Sequence, residues 1–290
     1  MSLWRKLLIG KWSWSRPLKS IASIYIIIAA VAWFIPEKIL FHPPPSNYSD
    51  GENGYSSITN SNNQKVGIFY QPAKQNMPTI LWSHGNAEDI GLLHHLFVNF
   101  SYQGFGILAY DYPGYGISEG KPTEPGCHEN AAASWEHLTH DLKIDPENII
   151  IYGQSVGSGP ATQLASEKNS AGLILVSPFT SAFRVATRIP LFAGDLFKNL
   201  ELISDVHEPL LIIHGEKDKV IPSSHGKKLH QLHTGEKTLL TFDESGHNDI
   251  YYYEEKAIIQ AIVDFHQKNK STKVQSDQSL TSKKSNKTAR

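Results

Sequence analysis

Short apolar runs alternate with longer stretches of mixed polarity along most of the chain. The apolar runs are "TILWS", "GILAY", "NIIIYG", "AGLILV", "PLLIIHG" and "KTLLTF". Polar positions do not alternate within these runs, and β-branched residues are frequent, which is typical of parallel strands covered on both faces. The pattern predicts a mostly parallel, doubly wound α/β sheet with helices between successive strands.

The limits of this folded domain follow from the segments on either side of it. The runs Tyr55–Thr59 and Lys65–Gln71 flank the polar turn "NSNNQ" and predict a β-hairpin at its start. After Lys268 the chain is polar and lysine-rich, and it contains too few apolar residues to form a core. We therefore predict a domain over residues 55–268, followed by a disordered tail over 269–290.

The amino-terminal residues have a different pattern, with basic residues first and an apolar segment after them. Residues 1–19 form a basic, tryptophan-rich leader without an acidic residue, and Ser20–Ile35 carries no charge at all. As a helix, this segment spans roughly 24 Å of a hydrocarbon core about 30 Å thick. We predict a membrane anchor helix over residues 20–36.

The positions of the charges also predict how this anchor is oriented. Because the basic residues all precede the segment, the amino terminus is expected in the cytoplasm and the domain on the other side of the membrane. The alternative is a signal peptide cleaved after the small-x-small sequence Ala30-Val31-Ala32. Residues 37–54 are rich in proline and glycine and predict a stiff linker between the anchor and the domain.

Composition excludes some classes of function. The formal net charge of -1 over 290 residues argues against a nucleic-acid-binding protein. Cys127 is the only cysteine, so no disulfide can form within the chain. The 14 histidines contain no HxxxH pair, and there is no CxxC pair. We therefore predict no metal site.

Ser155 is the first candidate for catalytic chemistry. It lies directly after an apolar strand and before a predicted helix, in the sequence Gly153-Gln154-Ser155-Val156-Gly157. A strand that turns sharply into a helix exposes the hydroxyl at the helix's positive end and leaves no room for side chains two residues before and after it. This placement of a GxSxG sequence predicts a nucleophilic serine.

A nucleophilic serine needs a base, and the base needs an orienting acid. In a fold with the serine at such a turn, the acid is expected after a later strand, and the histidine base follows the acid in the chain. Asp218 follows "LLIIHG", and His247 follows the next strand, so we predict these two as acid and base. His214 is the rival base, but it lies within its strand, where a role supporting the acid's loop is the simpler interpretation.

Three other aspartates compete with Asp218 for the role of the acid. Asp111 follows an earlier strand and precedes the turn-rich "YPGYG", which favours a structural role. Asp243 and Asp249 flank His247 in sequence. Asp249 is expected to steady the histidine loop without contacting the Nδ1 atom of His247.

An acyl-transfer site also needs two N–H groups that bind the oxyanion. The amide of Val156, next to the nucleophile, is the first predicted donor. The second is expected from the loop after "TILWSHG", where Asn86 and Ala87 are the candidates. The alternative is that "HGN" forms only a tight turn.

Five segments in a fixed order carry a family resemblance. They are "LWSHGNAEDIG", "AYDYPGYGISEGKPTE", "IIIYGQSVGSGPA", "LIIHGEKDKVIPSSHGKKL" and "GHNDI". Over roughly Leu40 to Lys268 the chain resembles the α/β-hydrolase superfamily, and within it the Bem46-like hydrolases and the depalmitoylating α/β-hydrolase-domain proteins. The resemblance implies Ser155 as nucleophile, Asp218 as acid, His247 as base, no metal or organic cofactor, and acyl esters or thioesters as substrates.

The chain departs from the cytosolic depalmitoylases of this group, which attach to membranes through lipidated cysteines near the amino terminus. No cysteine precedes Cys127 here, and an apolar segment takes that place. Membrane attachment favours lipid substrates or lipidated proteins.

Substrate access depends on the short segment 180–203, the usual position of a lid. It contains apolar residues that could form an acyl-chain groove or simply pack on the sheet: Phe183, Ile189, Leu191, Phe192, Leu196 and Phe197. We expect a serine hydrolase of acyl esters or thioesters. A serine peptidase of the same fold and a non-catalytic membrane scaffold are the alternatives.

Overall fold

The computed structural model describes residues 15–34, 36–187 and 195–288. An eight-stranded sheet forms its centre, in the order β1-β2-β4-β3-β5-β6-β7-β8. The strands are β1 Tyr55–Thr59, β2 Lys65–Gln71, β3 Thr79–Ser83, β4 Gly106–Tyr110, β5 Ile149–Gln154, β6 Gly172–Val176, β7 Leu210–Gly215 and β8 Lys237–Phe242. Strands β3 to β8 are parallel, whereas β1 and β2 form an antiparallel hairpin, and β2 pairs with β4.

Helices connect the parallel strands and cover the sheet. The α-helices are α1 Ser15–Phe34, α2 Pro36–Leu40, α3 His94–Tyr102, α4 Glu124–Glu136, α5 Ser158–Glu167, α6 Arg184–Thr187, α7 Asn199–Leu202, α8 Ser224–Leu232 and α9 Ile250–Thr288. Short 3₁₀ helices lie at Pro146–Asn148 and Ser155–Gly157, and a π-helical turn lies at His137–Asp141.

Successive residues of the central strands pack on opposite faces of the sheet, as the pleat requires. In β5, Ile151 joins the core layer that contains helices α4 and α5, and its neighbour Tyr152 joins the layer that contains α3 and α9. Both residues are fully buried. Burial on both faces explains why these strands are apolar throughout, and it confirms the predicted doubly wound sheet and the predicted hairpin.

The predicted anchor lies in α1, which includes residues 20–34. Within the ranges given above, no helix is both long enough and apolar enough to cross a bilayer. The charged residues Arg16 and Lys19 fall inside α1, so its uncharged part is shorter than a hydrocarbon core. The structure therefore does not support the predicted transmembrane helix. Most of the leader, residues 1–14, lies outside the described residues.

Two other segments differ from the sequence expectation. The predicted linker packs onto the domain, because Phe41 is buried in the core and Tyr48 packs against it. At the other end, α9 continues to Thr288 through most of the segment for which we predicted disorder. That segment contains neither glycine nor proline, so nothing in its sequence interrupts a helix that α9 has already begun.

Candidate active site

The backbone turns sharply at Ser155, between β5 and the following 3₁₀ helix. Ser155 has a φ of 51°, a left-handed conformation that costs a non-glycine residue free energy. Strain of this kind persists where the surrounding structure imposes it, and here it leaves the side chain partly exposed at the carboxyl end of the sheet.

The two flanking glycines are required by close backbone contacts. A Cβ atom at Gly153 would lie 2.5 Å from the carbonyl oxygen of Gly157, and one at Gly157 would lie 2.2 Å from that of Ser83. Both distances are far below van der Waals contact. They confirm the packing argument by which the sequence predicted a strand–turn–helix at this place.

The structure brings Ser155, His247 and Asp218 into one hydrogen-bonded row. The Oγ atom of Ser155 lies 2.9 Å from Nε2 of His247, and Nδ1 of His247 lies 2.7 Å from Oδ2 of Asp218. The three residues follow β5, β8 and β7, whose carboxyl ends lie at the same edge of the sheet. An imidazole held this way can accept a proton from the hydroxyl while the carboxylate fixes its tautomer.

Asp218 is held as a carboxylate by its surroundings. Burial alone would raise its pKa, but hydrogen bonds from His214, from His247 and from the amide of Ile221 hold the pKa well below its usual range. Its second oxygen, Oδ1, accepts the amides of Val220 and Ile221 at 2.9 Å and 2.7 Å.

His214, the rival base, is fully buried. Its Nε2 atom lies 2.8 Å from the carbonyl oxygen of Ile221 and 3.3 Å from Oδ2 of Asp218. These contacts match the role expected for it in supporting the loop that carries the acid.

The rival acids lie elsewhere. Asp111 is fully buried and accepts hydrogen bonds from the hydroxyl of Tyr48 at 2.6 Å and the amide of Ile90 at 3.1 Å. Asp249 accepts the amide of Gly246 at 2.6 Å, which steadies the histidine loop as expected, and Asp243 is exposed. Asp111 has the structural role that its sequence context favoured.

The candidate oxyanion donors lie on the two loops next to Ser155. Val156 is the second residue of the 3₁₀ helix, where an N–H group has no acceptor within the helix. The amide of Ala87 donates to Oδ1 of Asn86 at 2.9 Å. Of the two candidates on the first loop, this contact favours the backbone amide of Asn86 as the donor to a substrate.

Glu88 is a half-buried carboxyl group in the same loop, and no sequence pattern pointed to it. Its Oε1 atom accepts the amide of Gly85 at 2.6 Å, and burial raises its pKa although this bond and the nearby His84 and His247 oppose the rise. A Cβ atom at Gly85 would lie 2.6 Å from this oxygen and 3.8 Å from Cβ of Ser155. Sequence alone does not indicate this position of Glu88, because an acidic residue in a turn is usually solvated.

Part of the lid segment packs into the core. Leu196 and Phe197 are buried, and the Phe197 ring lies 6.1 Å from that of Phe41. For these residues, packing is therefore the correct interpretation of the two that the sequence left open. The predicted groove residues Ile189, Leu191 and Phe192 lie outside the described residues.

No metal centre is seen in the part of the chain that the structure describes, where no three histidine, cysteine, aspartate or glutamate side chains are grouped to hold an ion.

Comparisons with known proteins point to one family. A family model described as serine aminopeptidase, S33, matches residues 74–202. The chain is 37% identical over 211 residues to alpha/beta hydrolase domain-containing protein 17B from Homo sapiens, and the match covers 72% of this chain and 73% of that protein. It is 38% identical over 208 residues to protein 17C from Mus musculus, covering 70% of this chain and 65% of the relative.

Solved structures share the fold at low sequence identity. An esterase from Pyrococcus furiosus has a TM-score of 0.66 and 17% identity, with 79% of this chain and 98% of that chain covered. An alpha/beta hydrolase from Penicillium has a TM-score of 0.63 and 16% identity, with 74% and 98% covered. At such identities the likeness carries the fold alone, and that fold is the α/β-hydrolase fold.

Proposed function

Because the chain belongs to the family of α/β-hydrolase domain-containing serine hydrolases, which act on esters, we propose that it cleaves acyl esters or thioesters through an acyl-enzyme on Ser155. The observation that carries this proposal is the hydrogen-bonded row of Ser155, His247 and Asp218 at the carboxyl edge of the sheet. A strained serine at this place has no structural purpose that a glycine would not serve better.

In the proposed mechanism, Oγ of Ser155 attacks the acyl carbonyl carbon, and Nε2 of His247 takes the hydroxyl proton. The carbonyl oxygen becomes an oxyanion, which accepts hydrogen bonds from the amides of Val156 and Asn86. The C–O or C–S bond of the substrate then breaks as His247 returns the proton to the leaving alcohol or thiol. Water repeats the sequence on the acyl-enzyme, which releases the acid and restores Ser155.

A test of the bond type and of the acyl group uses p-nitrophenyl esters from two to sixteen carbons, an acyl thioester and a peptide anilide. We expect hydrolysis of esters and thioesters, with kcat/KM greatest at one chain length. Once a methylene no longer fits the pocket, kcat/KM should fall about tenfold. Hydrolysis of the anilide is expected to be slower than that of every ester.

The serine peptidase remains the second candidate, and the description of the matching family model as a serine aminopeptidase favours it. A kcat/KM for the anilide above that of the best ester would overturn the ester proposal in its favour. Equal rates for esters of all lengths would leave the ester chemistry in place and argue against an acyl-chain pocket.

We also propose that α1 attaches the protein to a lipid bilayer. Most of its described apolar side chains are more than half exposed, including Leu18 at 69%, Ile21 at 65% and Ile26 at 64%. Burying these exposed side chains in lipid is favourable, by about 1.5–3 kcal/mol for each leucine or isoleucine. A cytoplasmic amino terminus with the catalytic domain on the opposite side further requires that the apolar segment span the bilayer, and the basic residues before the segment favour that orientation.

Fractionation and reporter fusions test this proposal separately. The full-length protein is expected in the membrane fraction after alkaline carbonate washing, whereas the triple variant Ile21→Asn, Ile24→Asn, Ile27→Asn should be released. A reporter at the carboxyl terminus should be active only on the non-cytoplasmic side. A cytoplasmic signal would overturn the orientation, and a soluble wild-type protein would overturn the attachment.

A further inference from the structure

The predicted linker contributes a segment, Leu40–Tyr48, that lies against the loop next to the nucleophile. We call this segment the strap, and residues 84–89 the oxyanion loop. The strap begins at Leu40, the last residue of α2, and two of its parts contact the oxyanion loop, one at Asn86 and the other at Asp89. Its contacts are specific hydrogen bonds rather than apolar packing alone.

The first set of contacts surrounds the side chain of Asn86. Its Nδ2 atom donates to the carbonyl oxygen of Leu40 at 2.6 Å, and its Oδ1 atom accepts the amide of His42 at 3.0 Å and the hydroxyl of Tyr115 at 2.7 Å. An asparagine side chain offers two donor hydrogens and two acceptor lone pairs. The same Oδ1 atom also accepts the neighbouring Ala87 amide. Because one donor hydrogen and the acceptor oxygen are engaged by Leu40, His42 and Tyr115, which are far apart in sequence, the side chain is fixed in orientation.

The second set of contacts lies at the other end of the loop, at Asp89. The backbone amide of Asn47 donates to Oδ2 of Asp89 at 2.7 Å, and its side-chain Nδ2 donates to Oδ1 at 3.3 Å. Asp89 is fully buried, so these bonds replace contacts with water. The strap therefore holds the loop on both sides of Ala87, which has a left-handed φ of 57°.

Glycines elsewhere in the domain make room for the strap. A Cβ atom at Gly67 would lie 2.1 Å from the hydroxyl of Tyr48, and one at Gly91 would lie 3.0 Å from the backbone of Asn47. The Tyr48 hydroxyl donates to Asp111, which is itself buried beneath the loop. A side chain at Gly67 or Gly91 would therefore crowd the strap.

From these contacts we infer that the strap is part of the catalytic apparatus and that the Asn86 side chain is a positioning residue for the oxyanion loop. The inference rests on the proposed function, in which the backbone amide of Asn86 donates to the oxyanion. That amide and the side chain belong to one residue, so fixing the side chain restrains the backbone that carries the N–H group. Displacement of such a donor by about 1 Å can cost on the order of a hundredfold in rate.

The test compares full-length variants on the best p-nitrophenyl ester. Asn86→Ala removes the bonds that the side chain makes with Leu40, His42 and Tyr115, together with the one from the Ala87 amide. We expect kcat to fall about ten- to hundredfold with KM within about twofold of wild type. Asn86→Asp keeps an oxygen that can accept the bonds from His42, Tyr115 and Ala87 and loses the donor to Leu40. Its kcat should therefore lie between those of wild type and Asn86→Ala. Asn62→Ala, at an exposed asparagine of the hairpin turn, is the matched control and should keep wild-type kcat.

Inhibition by an acyl trifluoromethyl ketone separates positioning from a general loss of stability. This inhibitor forms a tetrahedral oxyanion on the serine, so its affinity should fall by the same factor as kcat/KM in Asn86→Ala. Asn47→Ala, which loosens the loop at Asp89 without touching Asn86, should reduce both quantities together by a smaller factor.

Each outcome decides the inference. A folded Asn86→Ala protein with wild-type kcat, or one that changes KM alone, overturns it. If Asn86→Ala does not fold, the same comparison is made on Asn86→Asp and Asn47→Ala, and unchanged kcat and inhibitor affinity in both overturn it. An inactive, folded wild-type protein would contradict the proposed function itself, which is a different result from active wild type with active variants.

Discussion

Replacing Ser155 by alanine is expected to lower kcat about a million-fold and to abolish covalent labelling by a fluorophosphonate probe. The hydroxyl is the only group in the hydrogen-bonded row that can form the acyl-enzyme, and its Oγ atom lies 2.9 Å from the base. Alanine should also be tolerated by the fold, because it removes one oxygen from a partly exposed position. The measurement is ester hydrolysis and gel labelling of both proteins, with thermal unfolding to verify that both are folded.

Ser166→Ala is the matched control for this comparison. Ser166 lies on α5, and its hydroxyl donates to the carbonyl oxygen of Gln163. That variant should label and turn over at the wild-type rate. Labelling that persists in Ser155→Ala would place the nucleophile elsewhere, and a folded wild-type protein that is neither labelled nor active would favour the non-catalytic scaffold.

The sheet and the row of Ser155, Asp218 and His247 were predictable because their signals are local. Each of these residues follows an apolar run within a few positions, and parallel strands bring their carboxyl ends to one edge. The glycines flanking Ser155 have the same local origin, since the clash that excludes a side chain comes from the turn itself. A short window of sequence therefore contains most of what places these three side chains.

The strap was not predictable in this way, because its meaning depends on distant residues. Leu40 and Asn86 are 46 positions apart, and a proline-rich stretch has the same local pattern whether it is free or docked. The half-buried Glu88 and the buried lid residue Phe197 were unpredictable for the same reason, since the residues that cover them are distant in sequence. The anchor prediction depended on the length of the apolar segment, because a few residues decide whether a helix is long enough to cross a membrane.

Replacing Asp218 by asparagine is expected to lower kcat on the order of ten-thousand-fold, with little change in KM. In the wild-type protein Oδ2 of Asp218 lies 2.7 Å from Nδ1 of His247, which keeps the proton on Nδ1 and leaves Nε2 free to accept the serine proton. An asparagine that turns its NH₂ group toward Nδ1 stabilises the opposite tautomer, in which Nε2 carries the proton and cannot act as a base.

The surroundings of Asp218 favour the orientation in which the NH₂ group of the asparagine faces His247. Oδ1 accepts two backbone amides, so the oxygen of an asparagine is held on that side and its NH₂ group is directed toward the position of Oδ2. There it meets both His247 and the Nε2 atom of His214, which lies 3.3 Å from the same carboxylate oxygen. His214 is a donor to the carbonyl oxygen of Ile221, so the NH₂ group finds an acceptor only at Nδ1 of His247.

The measurement is the pH dependence of kcat/KM for Asp218→Asn beside Asp243→Asn, an exposed aspartate near the same histidine. Because the pKa of Asp218 lies well below its usual range, the wild-type carboxylate stays ionised throughout the assay range, and its own protonation does not limit activity there. The loss in Asp218→Asn should therefore be present at every pH between about 6 and 9. Asp243→Asn should remain within about twofold of wild type, since surface substitutions have small effects.

If Asp218→Asn kept more than about a tenth of wild-type kcat, His247 would not depend on Asp218 for its tautomer. The acid would then have to be sought among the other carboxylates of the site, and Glu88 would be the first to replace.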